Sequence, residues 1–307
     1  MINLLADTFR PPELAIDLGT AATRVAYRSG QMRVQPSLCA GRRALGGGIV
    51  IDPAATIELL RPMLWDKSHR FSRSRPRAVV CTPTDVTEPE REVISDCVTR
   101  AGAGSVMFVP EPVAAAVGAG IDIGSGRTTF MVDVGEGVTD CAVIQSGRVI
   151  QSRTLRIGCE DLRKRLKQCA RKLAHLELSD TEAERLMRST GIHASAPGKD
   201  SCTGIRYGRI REERLPRRLL HEALRPVLSQ MLDTISTLLS DLTPTVAVEV
   251  IEDGIFLSGG GALLHGLREY VASGTRIDVH VVRDPLRSVV QGAVAMLPFL
   301  SKCHCRA

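Results

Sequence analysis

Leu14-Ala15-Ile16-Asp17-Leu18-Gly19-Thr20-Ala21-Ala22-Thr23 decides how this chain is read, because a stretch of the same design returns far downstream as Phe130-Met131-Val132-Asp133-Val134-Gly135-Glu136-Gly137-Val138-Thr139-Asp140. Each is an apolar run ending in Asp, then a glycine turn with Thr, then a second strand (Thr23 to Tyr27; Thr139 to Ile144). Such a hairpin presents backbone N–H groups and a hydroxyl at its tip, where they can grip phosphate oxygens. An Asp at the strand end can hold a cation through water. One such loop is most often only a tight connection. Two of them, placed as by an internal repeat, predict a phosphate-bearing ligand clamped between two related halves.

A third stretch completes the pattern. Phe256-Leu257-Ser258-Gly259-Gly260-Gly261-Ala262-Leu263-Leu264 reads as a short strand, a triple-glycine turn and a helix over 262–273. Three glycines let the backbone approach a flat ligand closely.

Phosphate loop, phosphate loop and adenosine loop in this order resemble the actin, sugar-kinase and heat-shock-chaperone ATPase superfamily. Within it the chain is most similar to the MreB-like bacterial actins. The resemblance is carried by Ala15 to Ala21, Arg75 to Pro83, Glu111 to Gly120, Arg156-Ile157-Gly158, Ala183-Glu184-Arg185 and Ser258 to Leu264, and runs with gaps from about residue 13 to about residue 298. It implies an α/β, actin-like ATPase fold: two related halves around a nucleotide cleft. Residues 1–12 would precede a first half at 13–147, to which 286–307 return, and 148–285 would form the second half. Both outer subdomains are expected to be shortened. Between Pro36 and Arg75 the sequence offers only Gly46-Gly47-Gly48 and a helix-like stretch, Ala54 to Leu64; the second reduced region is about 176–225, with 191–204 read as a mobile loop. Alternating strand and helix patterns elsewhere fit mixed sheets covered by helices.

The resemblance also implies ATP and Mg²⁺ as ligands. Asp17 and Asp133 would order Mg²⁺ through its waters, and Asp133 with Glu111 would act on the hydrolytic water. Gly19, Thr20, Ala21, Gly135, Gly137 and Thr139 would hold phosphates, Thr20 and Thr139 through their hydroxyls. Glu184 would accept from the ribose or the adenine amine, and Gly259, Gly260, Gly261 and Ala262 would receive the adenosine. Plainer roles compete with these: an Asp can cap a turn, a Glu at a helix start is favoured by the dipole, and a mid-helix Glu can face solvent. Three departures from the family pattern predict weak nucleotide binding and slow or absent hydrolysis. Ala22 replaces a polar residue, Met187 replaces a Lys, and Glu136 replaces a glycine. A carboxylate about 5 Å from a phosphate charge costs about 3 kcal/mol at an effective dielectric of 20, roughly a hundredfold in affinity. Glu136 also lacks the freedom of glycine to adopt positive φ.

Composition bounds the remaining readings. The 307 residues suffice for a large core and two domains. The net charge is +6, with basic clusters at Arg61–Arg77, Arg163–Lys172 and Arg206–Arg218. These read as solvated faces or as an attraction to anionic lipid. Aromatics make up 3%, and no nucleic-acid motif is present, so no nucleic acid is expected as a partner. No apolar run approaches the about 18 residues of a spanning helix, and Met1 to Arg10 is too short for a signal peptide and carries Asp7. Ile2, Leu5, Ala6 and Phe9 share a helical face that could lie in a membrane interface; a disordered start is the competing reading. The membrane loop of the family would fall before Arg75, where Phe71 stands among Ser and Arg. The scattered cysteines are expected to be reduced and mostly buried, and Cys303-His304-Cys305 makes a poor zinc site.

Three functions follow for weighing. The resemblance implies a cytoplasmic cytoskeletal protein that forms filaments with itself, weakly associated with the inner face of the cell membrane, in cell shape and cell-wall organisation. The alternative is a degenerate, non-hydrolysing partner of a full-length MreB or of other shape-determining membrane proteins. A sugar kinase would need an insertion to build its substrate cleft, and none is found.

Overall fold

The computed structural model describes residues 13–65, 74–192 and 198–303. The amphipathic segment 1–12, the Phe71 loop and the His304-Cys305 end of the tail lie outside the described residues. The first half contains β1 (Glu13–Leu18), β2 (Ala22–Tyr27), β3 (Met32–Pro36), the small ladders β4 (Leu38–Cys39) with β5 (Arg42–Arg43) and β6 (Leu45–Gly46) with β7 (Ile49–Val50), α1 (Pro53–Leu64), β8 (Arg77–Thr82), α2 (Glu88–Ala101), β9 (Ser105–Pro110) and α3 (Glu111–Gly118). After it come β10 (Thr129–Val134), β11 (Thr139–Gln145), β12 (Arg148–Leu155), α4 (Cys159–Ala174), α5 (Asp180–Thr190), β13 (Lys199–Arg206), β14 (Arg209–Pro216), α6 (Arg217–Ser240) and α7 (Pro244–Asp253). The chain closes with β15 (Ile255–Ser258), a 3₁₀ turn (Gly260–Leu263), α8 (Leu267–Thr275), β16 (Val279–Val281) and α9 (Ser288–Cys303).

The repeat read from the two glycine loops is a repeat of whole sheets. One five-stranded sheet runs β3-β2-β1-β8-β9 and the other β12-β11-β10-β15-β16. In each, the strand ending in the loop Asp pairs antiparallel with its hairpin mate and parallel with the strand on its other side. The central strands are buried along almost their whole length, as sheets covered on both faces require.

A shared core joins the two sheets. It draws Ala15 and Val79 from the first, Met131 and Ala142 from the second, and Val113, Val290 and Ala293 from α3 and α9. The two helices touch backbone to backbone. A Cβ on Gly118 would stand 1.9 Å from the Ser288 carbonyl oxygen, and one on Gly292 would stand 1.8 Å from that of Ala114. Only glycine fits either position. α9 thereby packs on α3 and against β1, β2 and β8.

Several expectations need correction. The glycine run at 46–48 is no plain connection: Gly47 and Gly48, with φ of +58° and +77°, turn the β6–β7 ladder, as positive φ at both central residues allows. Residues 199–204 of the expected mobile loop belong to β13, where Asp200, Cys202 and Gly204 alternate inward; 193–197 lie outside the described residues. The helix expected over 262–273 is broken, because Gly266 at φ +88° separates the 3₁₀ turn from α8. β3 and α7 were not anticipated. Among the described residues no helix is long and apolar enough to cross a membrane; Cys39, Cys81, Cys97, Cys141, Cys159, Cys169 and Cys202 are free thiols, Cys39 and Cys169 partly exposed and the other five buried.

Candidate functional site

The ends of β1 and β10 meet across a cavity of about 400 Å³ between the two sheets. Its phosphate-loop wall is Gly19, Thr20 and Ala21 on one side and Gly135 and Gly137 on the other, with Gly259 and Gly260 beyond. The tips nearly touch. Thr20 Oγ1 accepts a hydrogen bond of 3.1 Å from Gly48 N–H. A Cβ on Gly137 would lie 3.1 Å from that oxygen and 3.0 Å from the Gly47 nitrogen. The close approach of the halves, rather than positive φ, favours glycine at 137. Gly259 is needed for both reasons: its φ is +80°, and a Cβ would stand 2.4 Å from Asp133 Oδ1.

Asp17, Asp133 and Glu111 line this cavity together. Glu111 opens α3, whose amino terminus favours a carboxylate. Burial is the main force on all three and raises each carboxyl above its ordinary value, with Glu111 raised well above it and Asp133 to about 7. Repulsion by the Asp17 charge adds to the rise of Asp133, and repulsion by both Asp17 and Asp133 adds to that of Glu111. Asp133 Oδ1 is buried and has no hydrogen-bond partner among the described residues. An unpartnered carboxylate oxygen on a cavity lined by two further carboxyls is an oxygen donor set suited to a hard, hydrated divalent cation. The side chains do not by themselves form a closed cage: among the described residues no group of three His, Cys, Asp or Glu is spaced to hold a metal. Such a donor set would hold a hydrated cation through its waters rather than by direct ligation.

Other residues read from the sequence fall differently. Glu184 lines the cavity, as do Ala22 and Met187. Thr139 does not: it is fully buried in β11, and its hydroxyl donates to the Ile157 carbonyl at 2.9 Å. Gly261 and Ala262 lie behind the wall, Gly261 packed so closely on Val134 that a Cβ would sit 2.3 Å from Val134 Cγ1. The hydroxyl facing the second loop thus comes from Thr20, and the adenosine-loop contribution narrows to Gly259 and Gly260.

Three arginines in the cavity wall, Arg24, Arg163 and Arg188, were missed. Arg24 stands opposite Asp17 in the β1–β2 register and donates to its Oδ2 at 3.0 Å. Its signal was present, a charge on a strand whose neighbours Thr23 and Val25 are buried. Arg163, on α4, joins Glu136 to Glu184. It donates to Glu136 Oε2 at 3.1 Å and to Glu184 Oε2 at 2.9 Å, and a second nitrogen grips Glu136 Oε1. The penalty expected from Glu136 is therefore largely cancelled by a fixed positive charge. Nor does Glu136 occupy positive φ. Arg163 itself is only 13% exposed, so this pairing is not a loose surface contact.

A second bond network ties the halves beside the site. Asp140 accepts from Thr84 N–H at 2.8 Å, from the Thr84 hydroxyl at 2.6 Å and from that of Thr154 at 2.7 Å. Burial nevertheless raises its carboxyl to about 6.

This arrangement can now be compared with known proteins. The pattern of the MreB/Mbl protein family matches residues 36–304. The chain belongs to the MreB/Mbl family. The cell shape-determining protein MreB of Escherichia coli strain K12 is 30% identical over 320 aligned positions, which cover 91% of this chain and 91% of that protein. The crystal structure of MreB5 of Spiroplasma citri bound to ADP superposes with a TM-score of 0.87 at 22% identity, covering 97% of this chain and 99% of that one. The MamK double helical filament gives 0.80 at 19% identity, covering 94% and 99%. At these identities the two structures bear on the fold alone, and they place this member of the MreB/Mbl family in the actin-like ATPase fold that the loop order implied.

Proposed function

We propose that this chain is a cytoskeletal actin-fold protein that binds ATP with Mg²⁺ in the cleft, assembles into filaments with itself, and acts in cell shape and cell-wall organisation at the inner face of the membrane. The observation that carries the reading is the convergence of both glycine hairpins and Gly259-Gly260 on one cavity holding three buried carboxyls. Kinship supports it: the relatives are cell shape-determining proteins, MreB5 binds ADP, and MamK forms a double helical filament. Backbone N–H groups of the two tips and the Thr20 hydroxyl would hold the phosphates, and Glu184 the ribose or base. A hydrated Mg²⁺ would supply positive charge to the phosphates. Glu111 and Asp133 would position the water that attacks. The boundary drawn at 147 would cut the second sheet between β11 and β12; the units that would move about the α3–α9 contact are the β3-β2-β1-β8-β9 sheet with α9 and the β12-β11-β10-β15-β16 sheet with α3.

The Arg24–Asp17 pair favours keeping the second reading, in which the chain joins filaments of a full-length relative without hydrolysing ATP, because it occupies one of the two carboxylates meant for the cation's waters. One experiment separates the two. Mg-ATP binding and phosphate release are measured on the purified chain and on Asp133→Ala, with pelleting to follow assembly. Binding, assembly and turnover in the native chain, with turnover lost in Asp133→Ala, supports the first reading. Binding without turnover or self-assembly supports the second. No nucleotide binding in any condition rejects the cleft as a nucleotide site.

A further inference from the structure

Arg24 is a cation placed among the carboxyls of the cleft. It lies on β2 directly across from Asp17 on β1, so both side chains leave the sheet on the same face. Its Nη1 donates to Asp17 Oδ2 at 3.0 Å and reaches the Ala22 carbonyl oxygen at 3.5 Å. Both partners, and Arg24 itself, line the cavity. The Arg24 side chain is 18% exposed and that of Asp17 10%. The Arg24 charge also acts on Asp133, where it opposes the rise that burial imposes. One guanidinium thus serves the strand-end carboxyls of both glycine hairpins. Its Nε and Nη2 make no hydrogen bond among the described residues.

The other arginines of the wall are already committed. Arg163 holds Glu136 and Glu184, and Arg188 donates to Glu184 at 2.7 Å. That leaves Arg24 as the cation of the described lining that neither Glu136 nor Glu184 matches. The plain role for Arg24 is to neutralise Asp17, since a buried carboxylate without a partner is costly. That role uses one of three guanidinium nitrogens, and the other two remain for a ligand. A guanidinium stays protonated and presents its donors in a planar fork that matches phosphate oxygens. Mg²⁺ carries two charges but sheds its waters reluctantly. A fixed single charge about 5 Å from a phosphate charge contributes about a hundredfold in affinity at an effective dielectric of 20. Screening by solvent in the open cleft reduces that to about tenfold.

We propose that Arg24 is the resident counter-ion of the cleft: held by Asp17, it meets the phosphates through its remaining nitrogens, so that a nucleoside triphosphate binds with or without a divalent cation. Metal and guanidinium then compete for one carboxylate. A hydrated Mg²⁺ that uses Asp17 must draw it away from Arg24, and a chain lacking Arg24 must rely on the metal. The inference rests on the nucleotide reading of the cleft and adds to it the source of the positive charge.

The test titrates ATP calorimetrically into the full chain, once with Mg²⁺ and once with EDTA. Four forms are compared: native, Arg24→Lys, Arg24→Leu, and Arg24→Leu with Asp17→Asn. Circular dichroism checks that each is folded. The native chain should lose less than about fivefold in affinity when EDTA replaces Mg²⁺, and Arg24→Lys, which keeps the charge, should stay within about threefold of it in EDTA. Arg24→Leu should bind about tenfold or more weakly in EDTA and regain most of that with Mg²⁺, because the freed Asp17 can hold the cation's waters. The double variant leaves no bare carboxylate at 17, so a loss of about tenfold in EDTA there reports the guanidinium's own contact with phosphate. Without nucleotide, Mn²⁺ followed by its electron paramagnetic resonance signal should bind Arg24→Leu about tenfold more tightly than the native chain. A native chain that loses a hundredfold in EDTA, a double variant that matches the native chain in EDTA, or equal Mn²⁺ binding by native and Arg24→Leu chains would each overturn the proposal while leaving the nucleotide reading standing. A native chain that binds no ATP in either condition removes that reading, and this proposal with it.

Discussion

Replacing Arg163 by Ala should weaken nucleotide binding more than replacing Glu136, the residue that looks harmful in the sequence. Arg163 holds Glu136 at 3.1 Å and Glu184 at 2.9 Å through one nitrogen and clasps Glu136 again through another. Its removal leaves two carboxylates side by side in the cavity wall. At an effective dielectric of 20, a freed Glu136 charge about 5 Å from a phosphate costs about 3 kcal/mol. Solvent reaches these groups in part, with Glu136 at 18% and Glu184 at 31% exposure, so about half that figure, roughly a tenfold loss of affinity, is the expected minimum. Glu136→Gly alone should change affinity by less than about threefold, because its charge is already matched by the guanidinium. Glu136→Gly combined with Arg163→Ala should recover most of what Arg163→Ala loses. Calorimetric titration of Mg-ATP into the four proteins closes the double-mutant cycle. Equal affinities for the native chain and Arg163→Ala, or a hundredfold gain from Glu136→Gly alone, would refute the neutralisation argument.

The remaining predictions concern the carboxyl cluster and the joint between the halves. Asp133 holds its proton to about 7 when folded and only to about 4 when unfolded. The native state therefore binds more protons between those values, and stability should fall as pH rises through this window, by up to about 4 kcal/mol; Asp133→Asn should flatten the melting-temperature profile from pH 5 to 8, and an unchanged slope would count against it. Arg24→Leu removes the partner of a nearly buried Asp17 and should cost about 2 kcal/mol in denaturant unfolding at pH 8, and less as pH falls, because burial already holds the Asp17 carboxyl above its ordinary value. Gly292→Ala drives a methyl into the Ala114 carbonyl and should destabilise the chain by about 3 kcal/mol or more; a loss under about 1 kcal/mol would show that α3 and α9 part easily.

What the sequence disclosed depended on how local the cause was. The helix α2 was legible to the residue because Thr87 and Glu90 cap its start, the Glu90 carboxylate accepting from Thr87 N–H at 2.8 Å, and Gly102 ends it. The central strands were legible as unbroken apolar runs. α7 was not, because Val246-Ala247-Val248-Glu249-Val250 alternates as a strand would, and its β-branched residues lower helix propensity. The hairpin β13–β14 was hidden by arginines that face outward on a ribbon with little core contact. At the site, loop composition located the cavity, since glycines that let two backbones approach must appear as glycines. The charge balance inside the cavity did not follow from composition. Glu136 and Arg163 are 27 positions apart, and Glu136 looked like an injury to the phosphate loop only because its partner lies on the next helix. Thr139 shows the reverse error. It matched Thr20 by motif, but β11 turns its hydroxyl toward Ile157, so the two halves, alike in topology, present different atoms to the ligand. A repeat in sequence fixes where backbones meet. Which side chains face the space between them depends on ion pairs and register that only the folded chain brings together.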